Sequence, residues 1–437
     1  MSKKMKLASK SQTKKKMKNL GCSNLVVGLT GPFGSGSSEM QRILKEKSGF
    51  VPFKISDDIR KELEREGKGV EKRKHGWRKT LQDHGNERRK SDRGYWVKKV
   101  IERIDEGDVG EKNIVIDGFR NVKEVEEIRR IYPRFFLVAV CAEKDERWKR
   151  VRKDYGGNYN EFEDDDRRDQ NEDFEWGQSV QRCVDDADYV FYNNDHLVVN
   201  LSDGSEEPDS EKIGRRLMKQ AEDFVPLMKG QADCRDPRPE EAQVLAAYAQ
   251  SNCSTCLKRH VGAVITIERE KQEFVISTGF NDNPPNIRTC KSEKACYKDE
   301  DMTSKLKARG KSIYCPSCGQ RHEPLAEPWF CKKCGTNLKA WLHPNRNMEL
   351  CTAIHAEERA IVSLGGRRAD GATVYVTTFP CFQCARLILD AGIKRVVYVE
   401  AYPVKDTATF LTKNGVLIEP FSGFTARAFF RVFPKVS

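Results

Sequence analysis

The sequence predicts an α/β fold built of two successive domains, and three observations lead to this class. The chain of 437 residues is long enough for two or three domains of ordinary size. Short apolar runs alternate with longer charged segments of helical period, which is typical of βαβ units around a parallel sheet. A stretch rich in proline, glycine and charge, "KGQADCRDPRP" at 229–239, divides this pattern in two and is interpreted as a linker.

Each domain is predicted from its own set of strands. The first set is "NLVVGLT", "NIVIDGF", "RFFLVAVCAE" and "ADYVFYNN", and the helix "RRLMKQAEDFVPLM" closes it. The second set is "HVGAVITIE", "EFVISTGF", "ATVYVTTF", "RVVYVEAY" and "GVLIEPF". A cysteine-rich insertion over 289–348 interrupts the second set. We therefore expect a basic disordered tail over 1–20, a first domain over 21–228 and a second domain over 236–437.

The composition of the chain indicates the cellular compartment and the binding partners to expect. No apolar run approaches the roughly 20 residues that a bilayer-spanning helix requires, and the N terminus lacks the apolar segment of a secretory signal. The 15 cysteines include CxxC pairs, which in a long chain indicate metal ligands rather than disulfides. We expect a protein of the reducing cytoplasm with no membrane partner. The net charge of +12 owes much to the lysine-rich tail, which either contacts nucleic acid or keeps the chain soluble.

A glycine-rich segment, "GLTGPFGSGSSEM", follows the first predicted strand and precedes a predicted helix. This is the context of a phosphate-binding loop of the pattern G-x-x-x-x-G-K-[ST], whose backbone N–H groups surround phosphates. Ser37 stands where this pattern has lysine. The residues expected to bind nucleotide are Gly31, Gly34, Ser35, Gly36, Ser37, Ser38 and, in a later strand, Asp117.

The absence of lysine at position 37 affects what this loop can do. Its backbone N–H groups and the helix dipole still provide a phosphate site, with or without Mg²⁺. Phosphoryl transfer depends on positive charge at the terminal phosphates, which is reduced here. Three interpretations stay open: a regulatory nucleotide-binding module, a structural remnant, and an active kinase that takes an arginine or lysine from elsewhere. The regulatory module is our expectation.

Two further segments, "IHAEERAI" and "VTTFPCFQCARLIL", hold the residues of a catalytic zinc site. A catalytic zinc takes three protein ligands and leaves one position open, and one histidine with two cysteines meets that count. We expect His355, Cys381 and Cys384 to be the ligands, with both sulfurs on one face of a helix that starts after Pro380. Glu357 is not needed as a ligand and is expected to move protons. H-x-E followed by P-C-x-x-C is the signature of zinc deaminases.

The match around this signature is wider. "SNCSTCLKRHVGAVIT", "STGFNDNPPNIRTC", "HAEERAI" and "VYVTTFPCFQCARLILDAGIKRVVYVEAY" together resemble the deoxycytidylate deaminase family over most of 240–405. The resemblance implies hydrolytic deamination of a deoxycytidine nucleotide at C4, and an oligomer for which a hexamer is favoured. Asn281 matches the family's substrate or effector loop, whereas Asp282 and Arg359 stand where the family usually has glycine and asparagine.

The first domain carries a resemblance of its own. "SDDIRKEL", "RKTLQDHGNERR", "VIDGFR" and "RWKRVRKD" are similar to segments of P-loop deoxynucleoside monophosphate kinases, with Asp117 at the Walker B-like position. The whole chain resembles the two-domain antiviral deoxycytidine nucleotide deaminases of bacterial anti-phage defence. That resemblance implies conversion of dCTP and dCMP to dUTP and dUMP, depletion of dCTP, and an inhibitory RNA in some systems.

The insertion contains "CPSCGQRHEPLAEPWFCKKC", whose C-x2-C-x12-C-x2-C spacing is close to that of a zinc ribbon. The expected ligands of one structural zinc are Cys315, Cys318, Cys331 and Cys334. Such a closed site folds the insertion and leaves no position for substrate. Reading of nucleic acid by the ribbon is an alternative role.

A further zinc site is implied by the family resemblance alone. Cys256 and Cys290 occupy positions where some viral deoxycytidylate deaminases have ligands of another structural zinc. The residues that would complete this site are Cys253, Cys296, His343 and Cys351. Scattered reduced thiols in a core are an equally good interpretation.

Two other functions stay open beside a nucleotide deaminase. The basic tail and the ribbon favour a deaminase that edits single-stranded DNA or RNA, although the stacking aromatic residues of a single-strand channel are not evident. The chain is alternatively a nucleotide or RNA sensor with a vestigial deaminase domain. The complete set of zinc ligands and Glu357 argues against that alternative, so we expect an enzyme that deaminates deoxycytidine nucleotides.

Overall fold

The computed structural model describes residues 24–71, 74–107, 109–170, 172, 174–194, 210–231, 234–294, 296, 313–315, 318–322, 331–334, 351–400 and 405–433. It confirms the predicted α/β class, with two main sheets in two compact units. The first unit is Met1–Leu245 with Glu419–Ser437, and the second is Ala246–Ile418. The basic tail and much of the cysteine-rich insertion lie outside the described residues. No helix in the described part of the chain is long and apolar enough to cross a bilayer.

The first unit is built on a sheet whose strand order is β13-β5-β4-β1-β3-β2. Its strands are β1 (Val26–Thr30), β2 (Val51–Lys54), β3 (Ile114–Phe119), β4 (Phe135–Cys141), β5 (Tyr189–Tyr192) and β13 (Gly423–Phe424). The first five are parallel, and β13 is antiparallel to β5. All four predicted strands are present, and together they form the centre of this sheet.

Helices cover both faces of this sheet. They are α1 (Ser37–Ser48), α2 (Ile55–Arg65), α3 (Trp77–Ser91), α4 (Tyr95–Glu106), α5 (Val122–Ile131), α6 (Lys144–Val151), α7 (Tyr159–Gln170), α8 (Val180–Asp185) and α9 (Ser210–Lys229), and a 3-10 turn spans Arg152–Tyr155. Val26 of β1 packs into one apolar cluster with α4 and α5, whereas Val27 packs into another with α1 and α9. Because both faces are buried, the strands are continuously apolar rather than alternating.

Strand β2 is absent from the sequence prediction. It has four residues, "VPFK", and lies at an edge of the sheet, beside β3. Proline is tolerated in an edge strand because no neighbour needs its missing N–H group. The short length and Pro52 hide the strand in the sequence, yet the parallel register places Lys54 opposite Asp117.

The second unit contains the five strands predicted for it, in the order β12-β11-β10-β6-β7. They are β6 (Gly262–Arg269), β7 (Gln272–Phe280), β10 (Thr373–Thr378), β11 (Arg395–Glu400) and β12 (Leu417–Pro420). The other elements are α10 (Pro239–Ser251), α11 (Cys290–Glu293), α12 (Ala356–Val362), α13 (Phe382–Asp390), α14 (Lys405–Lys413) and the hairpin β8 (Ile313–Tyr314) with β9 (Arg321–His322). Antiparallel β6 and β7 are joined by a tight turn, whereas parallel β10 and β11 are connected through α13.

The end of the chain returns to the first sheet, where the sequence analysis expected it to remain with the second domain. Phe424 of β13 pairs with Tyr189, its ring centroid lies 4.9 Å from that of Tyr189, and it has no exposed surface. A final helix, α15 (Phe429–Val432), follows. Burial of these aromatic rings against the first unit accounts for the difference, because a two-residue strand leaves no periodic pattern in the sequence.

An ion-pair network holds this returning segment. Phe424 N donates to Glu241 Oε1 across 2.9 Å, and Glu241 has no exposed side-chain surface. Arg235 compensates the buried charge, because its Nη1 lies 2.7 Å from Glu241 Oε2 and its Nε lies 2.6 Å from Asp223 Oδ1. The same guanidinium therefore connects the end of α9, the start of α10 and β13.

We expect Arg235→Met to lower the free energy of unfolding of the first unit by about 2 kcal/mol, because it leaves Glu241 buried without its cation. The loss is smaller than for a fully buried pair, since the Arg235 side chain is 25% exposed. Urea unfolding followed by tryptophan fluorescence measures the change.

The matched control is Arg42→Met, which removes an arginine from an exposed pair with Glu39 on α1. Its unfolding midpoint should stay close to that of the unmodified protein, because exposed pairs contribute little. Equal midpoints for Arg235→Met and the control would contradict a role for the network in holding β13.

Candidate active site

Two helices of the second unit begin at the candidate site. His355 is the N-cap residue of α12 and Cys381 is the N-cap residue of α13. Cys384 lies in the first turn of α13 and is buried. His355 N donates to Glu358 Oε2 across 3.4 Å, which closes the first turn of α12. Helix starts present positive partial charge, so both sulfurs lie where thiolates are favoured.

Helix α12 lies directly on strand β7, and Gly279 makes this close approach possible. A Cβ atom at Gly279 would stand 2.2 Å from the carbonyl oxygen of Ala356 and 2.5 Å from the backbone nitrogen of Ala360. The approach buries the inner face of α12, where Glu357 is only 4% exposed. A side chain at position 279 would therefore displace the helix that carries both His355 and Glu357.

The three predicted ligand atoms converge. The distance from His355 Nδ1 to Cys381 Sγ is 3.4 Å and that to Cys384 Sγ is 3.3 Å. A tetrahedral zinc with Zn–S and Zn–N bonds of about 2.3 and 2.0 Å separates such ligand atoms by about 3.5 Å. The three donors therefore fit a zinc ion in both chemistry and spacing, with a fourth position left for another ligand.

The thiols of the site are not equivalent. A hydrogen bond with Cys384 lowers the pKa of Cys381 to about 4, and the same contact raises the pKa of Cys384. The hydrogen bond with Cys381 also raises the pKa of His355. A coordinated cation would favour the deprotonated form of both sulfurs.

Glu357 lies beside the ligands but outside their cluster. Burial raises its pKa to about 7, because desolvation penalises the charged carboxylate. A carboxyl group with such a pKa populates both protonation states near neutral pH. Glu357 can therefore accept a proton and return it, as general acid–base chemistry requires.

The loop that precedes this site is fixed by side chains. Asn281 Oδ1 accepts from Val261 N and its Nδ2 donates to Arg259 O, at 2.7 and 2.9 Å. The amide of Asn281 thus clamps the loop, and its role in substrate binding stays a prediction. Asp282 pairs with Ile354 through two backbone hydrogen bonds, which joins the loop to the residue before His355.

Arg359 is a residue whose structural role sequence reasoning missed. Its Nε donates to Phe280 O across 2.9 Å, and its Nη2 donates to Asp282 O and Asn283 O at 2.9 and 3.2 Å. The guanidinium also lies over the Phe280 ring, 5.0 Å from its centroid. Arg359 therefore makes three hydrogen bonds that connect α12 to the Asn281 loop.

The four cysteines of the predicted ribbon also converge, beside the β8–β9 hairpin. Cys315 Sγ and Cys334 Sγ are 3.5 Å apart, and Cys318 Sγ and Cys331 Sγ are 3.6 Å apart. Four-sulfur zinc sites separate their ligands by about 3.8 Å, so this cluster fits a structural zinc. Buried His322 places Nε2 3.2 Å from Cys331 Sγ, an outer contact that the cysteine spacing does not reveal.

Cys256 and Cys290 do not form a third cluster among the residues that the structure describes. Cys290 is buried and Cys256 is half-buried, and neither lies within a group of three donor atoms there. His343, one of the residues suggested to complete the site, lies outside the described residues. The third zinc stays a prediction.

The glycine-rich segment of the first unit joins β1 to α1, as its pattern predicts. Gly31, Gly34 and Gly36 have positive φ angles of 137°, 83° and 108°. A Cβ atom at Gly31 would lie 2.0 Å from the carbonyl oxygen of Val140, so only glycine fits there. Ser35 Oγ is buried and has no hydrogen-bond partner in the described part of the chain, which leaves a donor for a ligand.

The residues that follow the glycines meet Asp117 at the end of β3. Ser38 Oγ donates to Asp117 Oδ2 across 2.8 Å. Ser37 lies at the start of α1, where a phosphate-binding loop usually carries its lysine. Lys54, a residue that sequence reasoning did not single out, reaches the same pair from the end of β2.

Known proteins provide two family matches. Residues 238–400 match the "Cytidine and deoxycytidylate deaminase zinc-binding region", and residues 27–171 match an "AAA domain". The first match contains His355, Cys381 and Cys384, and therefore places the convergent donors within a zinc-binding deaminase region. The second contains the glycine-rich loop and Asp117.

Two individual relatives indicate which family of deaminases the chain resembles. The chain is 34% identical over 161 residues to "Deoxycytidylate deaminase" of Enterobacteria phage T2, which covers 36% of this chain and 77% of that protein. It is 29% identical over 180 residues to the yeast protein of the same name from Saccharomyces cerevisiae, covering 41% of this chain and 43% of the relative. The chain belongs to the deoxycytidylate deaminase family. The match spans less than half of the yeast protein.

A solved structure matches a share of this chain similar to that matched by these relatives. It is described as "Crystal structure of dCMP deaminase from the cyanophage S-TIM5 in complex with dCMP and dUMP" and is 21% identical. The alignment covers 43% of this chain and 100% of that chain, with a TM-score of 0.26.

Metal analysis tests the two clusters separately. We expect the purified protein to carry two zinc ions per chain, because each cluster has the ligand set and spacing of a zinc site. Cys384→Ser should lose the ion at His355, and Cys331→Ser should lose the ion of the ribbon. Mass spectrometry of the native protein and elemental analysis count the ions.

The matched control is Cys234→Ser, because Cys234 is a half-buried thiol outside both clusters. This variant should keep both ions. Loss of a single ion in all three variants, or of none, would contradict the assignment of two independent sites.

Proposed function

We propose that the second unit hydrolyses the C4 amino group of deoxycytidine nucleotides, dCMP, dCTP or both, with zinc as its cofactor. The observation that carries the proposal is the convergence of His355, Cys381 and Cys384 beside the buried Glu357. Family membership supports a deoxycytidine nucleotide as the substrate class. Bound zinc supplies the Lewis acidity that makes water nucleophilic near neutral pH.

The chain's own residues account for the proton transfers. Glu357 accepts a proton from the attacking water and delivers it to the base. One water proton ends on N3 of the ring and the other on the departing nitrogen, so the C4–N bond breaks and ammonia leaves. The water oxygen becomes the C4 carbonyl of uracil. The raised pKa of Glu357 suits both halves of this exchange.

The contacts that hold the Asn281 loop support its role as a fixed binding surface for the substrate. The Asn281 loop is held by its own amide, by the pairing of Asp282 with Ile354, and by Arg359. A fixed loop positions a substrate without a further ordering cost. We therefore propose that Arg359 acts on deamination through the position of this loop.

The first unit is proposed to be a regulatory nucleotide-binding module. The strand–loop–helix geometry and the unpartnered Ser35 hydroxyl support phosphate binding. Ser37 in place of lysine argues against phosphoryl transfer, because the terminal phosphates lose a stabilising charge. The proposal is that nucleotide bound here changes the rate of deamination.

The wider biological role rests on resemblance to two-domain antiviral deaminases. We propose that the enzyme depletes dCTP during phage infection, that it forms an oligomer with a hexamer favoured, and that an RNA inhibits it in some systems. Location in a reducing cytoplasm agrees with the 14 described cysteines, none of which forms a disulfide. Editing of single-stranded nucleic acid is the second candidate function, which the basic tail favours.

Chromatography of nucleotides after incubation with dCMP, dCTP, CMP and a cytosine-containing oligonucleotide tests the proposed activity. We expect dUMP, dUTP or both as products. Glu357→Gln should reduce turnover by about 10²- to 10⁴-fold while the bound zinc is retained, because it removes a general acid–base without removing a ligand.

The control is Glu268→Gln, at an exposed position near the end of β6, which should leave turnover unchanged. Conversion of the oligonucleotide alone would favour the editing function. Full turnover by Glu357→Gln, or no turnover of any substrate by the zinc-loaded protein with nucleotides present, would overturn the proposal.

Regulation is tested by adding ATP, dATP, dTTP or dCTP to the deamination assay with a saturating amount of dCMP. We expect one of them to change the initial rate. Gly36→Ala should abolish the response, because Gly36 has a φ of 108° and a Cβ atom there would lie 2.8 Å from Asn193 Nδ2.

The control is Gly49→Ala at the other end of α1. Gly49 also has a positive φ, of 71°, but no atom lies within 4 Å of a Cβ built there. The two variants thus share backbone strain and differ in whether they disturb the loop. An unchanged response in Gly36→Ala would contradict regulation through the P-loop.

A further inference from the structure

The phosphate-binding loop lacks the usual lysine, and two nearby arginines are already engaged in ion pairs. Arg147 donates to both carboxylate oxygens of Asp166, and both side chains of this ion pair are buried. Arg120 is ion-paired with Asp169, and Asp169 and, to a lesser extent, Asp117 raise the pKa of Arg120 against the effect of burial. These guanidinium groups are neutralised by carboxylates of the same unit.

Lys54, at the end of β2 and outside the loop, supplies a cation to this site. Its Nζ donates to Ser38 Oγ across 2.6 Å and lies 3.3 Å from Asp117 Oδ2. The Asp117 side chain is 4% exposed, whereas that of Lys54 is 31% exposed, so the ammonium is both paired and accessible. The parallel register of β2 and β3 places Lys54 opposite Asp117, which makes the contact a consequence of the sheet.

The position of this ammonium is that of a metal ion in other P-loop proteins. The P-loop serine and the Walker B aspartate normally hold Mg²⁺, which bridges the terminal phosphates of the nucleotide. Here Ser38 and Asp117 are those two residues, and the Lys54 ammonium contacts an oxygen of each. Mg²⁺ needs ligand oxygens at 2.0–2.1 Å in octahedral order, which leaves no room for an ammonium on the same pair of atoms.

We propose that Lys54 takes the place of the divalent cation, so that this loop binds the phosphates of a nucleotide without Mg²⁺. The inference rests on the proposed nucleotide-binding role of the first unit and specifies its ion requirement. The buried, unpartnered Ser35 hydroxyl supplies a donor to the same phosphates. The single positive charge of Lys54 balances the negative charge of Asp117. Mg²⁺ and a loop lysine together would instead contribute three positive charges to the site. The site therefore holds phosphates and lacks the charge that transfer requires.

Calorimetric titration of the full chain with ATP, and separately with dCTP, tests the inference in EDTA and in Mg²⁺. The dissociation constant of whichever probe binds should differ by less than about threefold between the two conditions. Lys54→Gln should weaken binding in EDTA by about tenfold or more, the usual effect of losing a charge-assisted hydrogen bond. It should recover affinity when Mg²⁺ is added, because Ser38 and Asp117 are then free to hold the metal.

Two further variants make the result specific. Lys54→Arg keeps the positive charge and should retain binding in EDTA. Lys61→Gln, at an exposed position on the adjacent α2, should behave as the unmodified protein. Circular dichroism and zinc content establish that each variant is folded.

Results contrary to these expectations distinguish failure of the Lys54 inference from failure of the nucleotide-binding proposal. Binding that requires Mg²⁺ in the unmodified protein, or equal binding by Lys54→Gln in EDTA, would overturn the role of Lys54 and leave the nucleotide-binding module intact. Binding of neither probe under either condition would overturn both the inference and that module. The proposed deaminase activity is independent of each outcome, because it is measured by the uracil products.

Discussion

Three ligand atoms must come within a few ångströms of one another to hold a zinc ion, and this requirement governs the second unit. The unit meets it by starting α12 at His355 and α13 at Cys381, next to each other. The close contact of α12 with β7 at Gly279 then fixes the angle of the first helix. Glu357 and His355 lie in one turn, so a single packing contact positions both.

The loop around Asn281 depends on the same helix. Arg359 lies one turn beyond His355 and donates to three backbone carbonyls of this loop. A displacement of α12 would therefore move His355, Glu357 and the Asn281 loop together. Helix α12 therefore supports several parts of the site at once, whereas the two cysteines are positioned by α13.

The sequence predicted the parts of the structure whose signals are local. Nine strands were predicted because each is an apolar run, and the convergence of His355, Cys381 and Cys384 was predicted because helix starts confine them to short motifs. Strand β2 was missed, since four residues with Pro52 among them carry no periodicity. The role of Lys54 was missed with it, because the contact with Asp117 exists only through the register of β2 and β3. The returning strand β13 depends likewise on pairing with a segment distant in sequence, and the contact of His322 with Cys331 depends on the folding of the hairpin.

The pairing of β13 with β5 means that the chain enters the first unit, leaves it for the second, and comes back. Along the chain, the second unit is thus inserted within the sequence of the first unit. A fragment cut at the linker near 229–239 would leave β5 as a bare sheet edge, whose unpaired N–H and C=O groups invite aggregation. The two units therefore cannot be separated by one cut: deletion of the C-terminal half also removes an edge strand of the N-terminal unit.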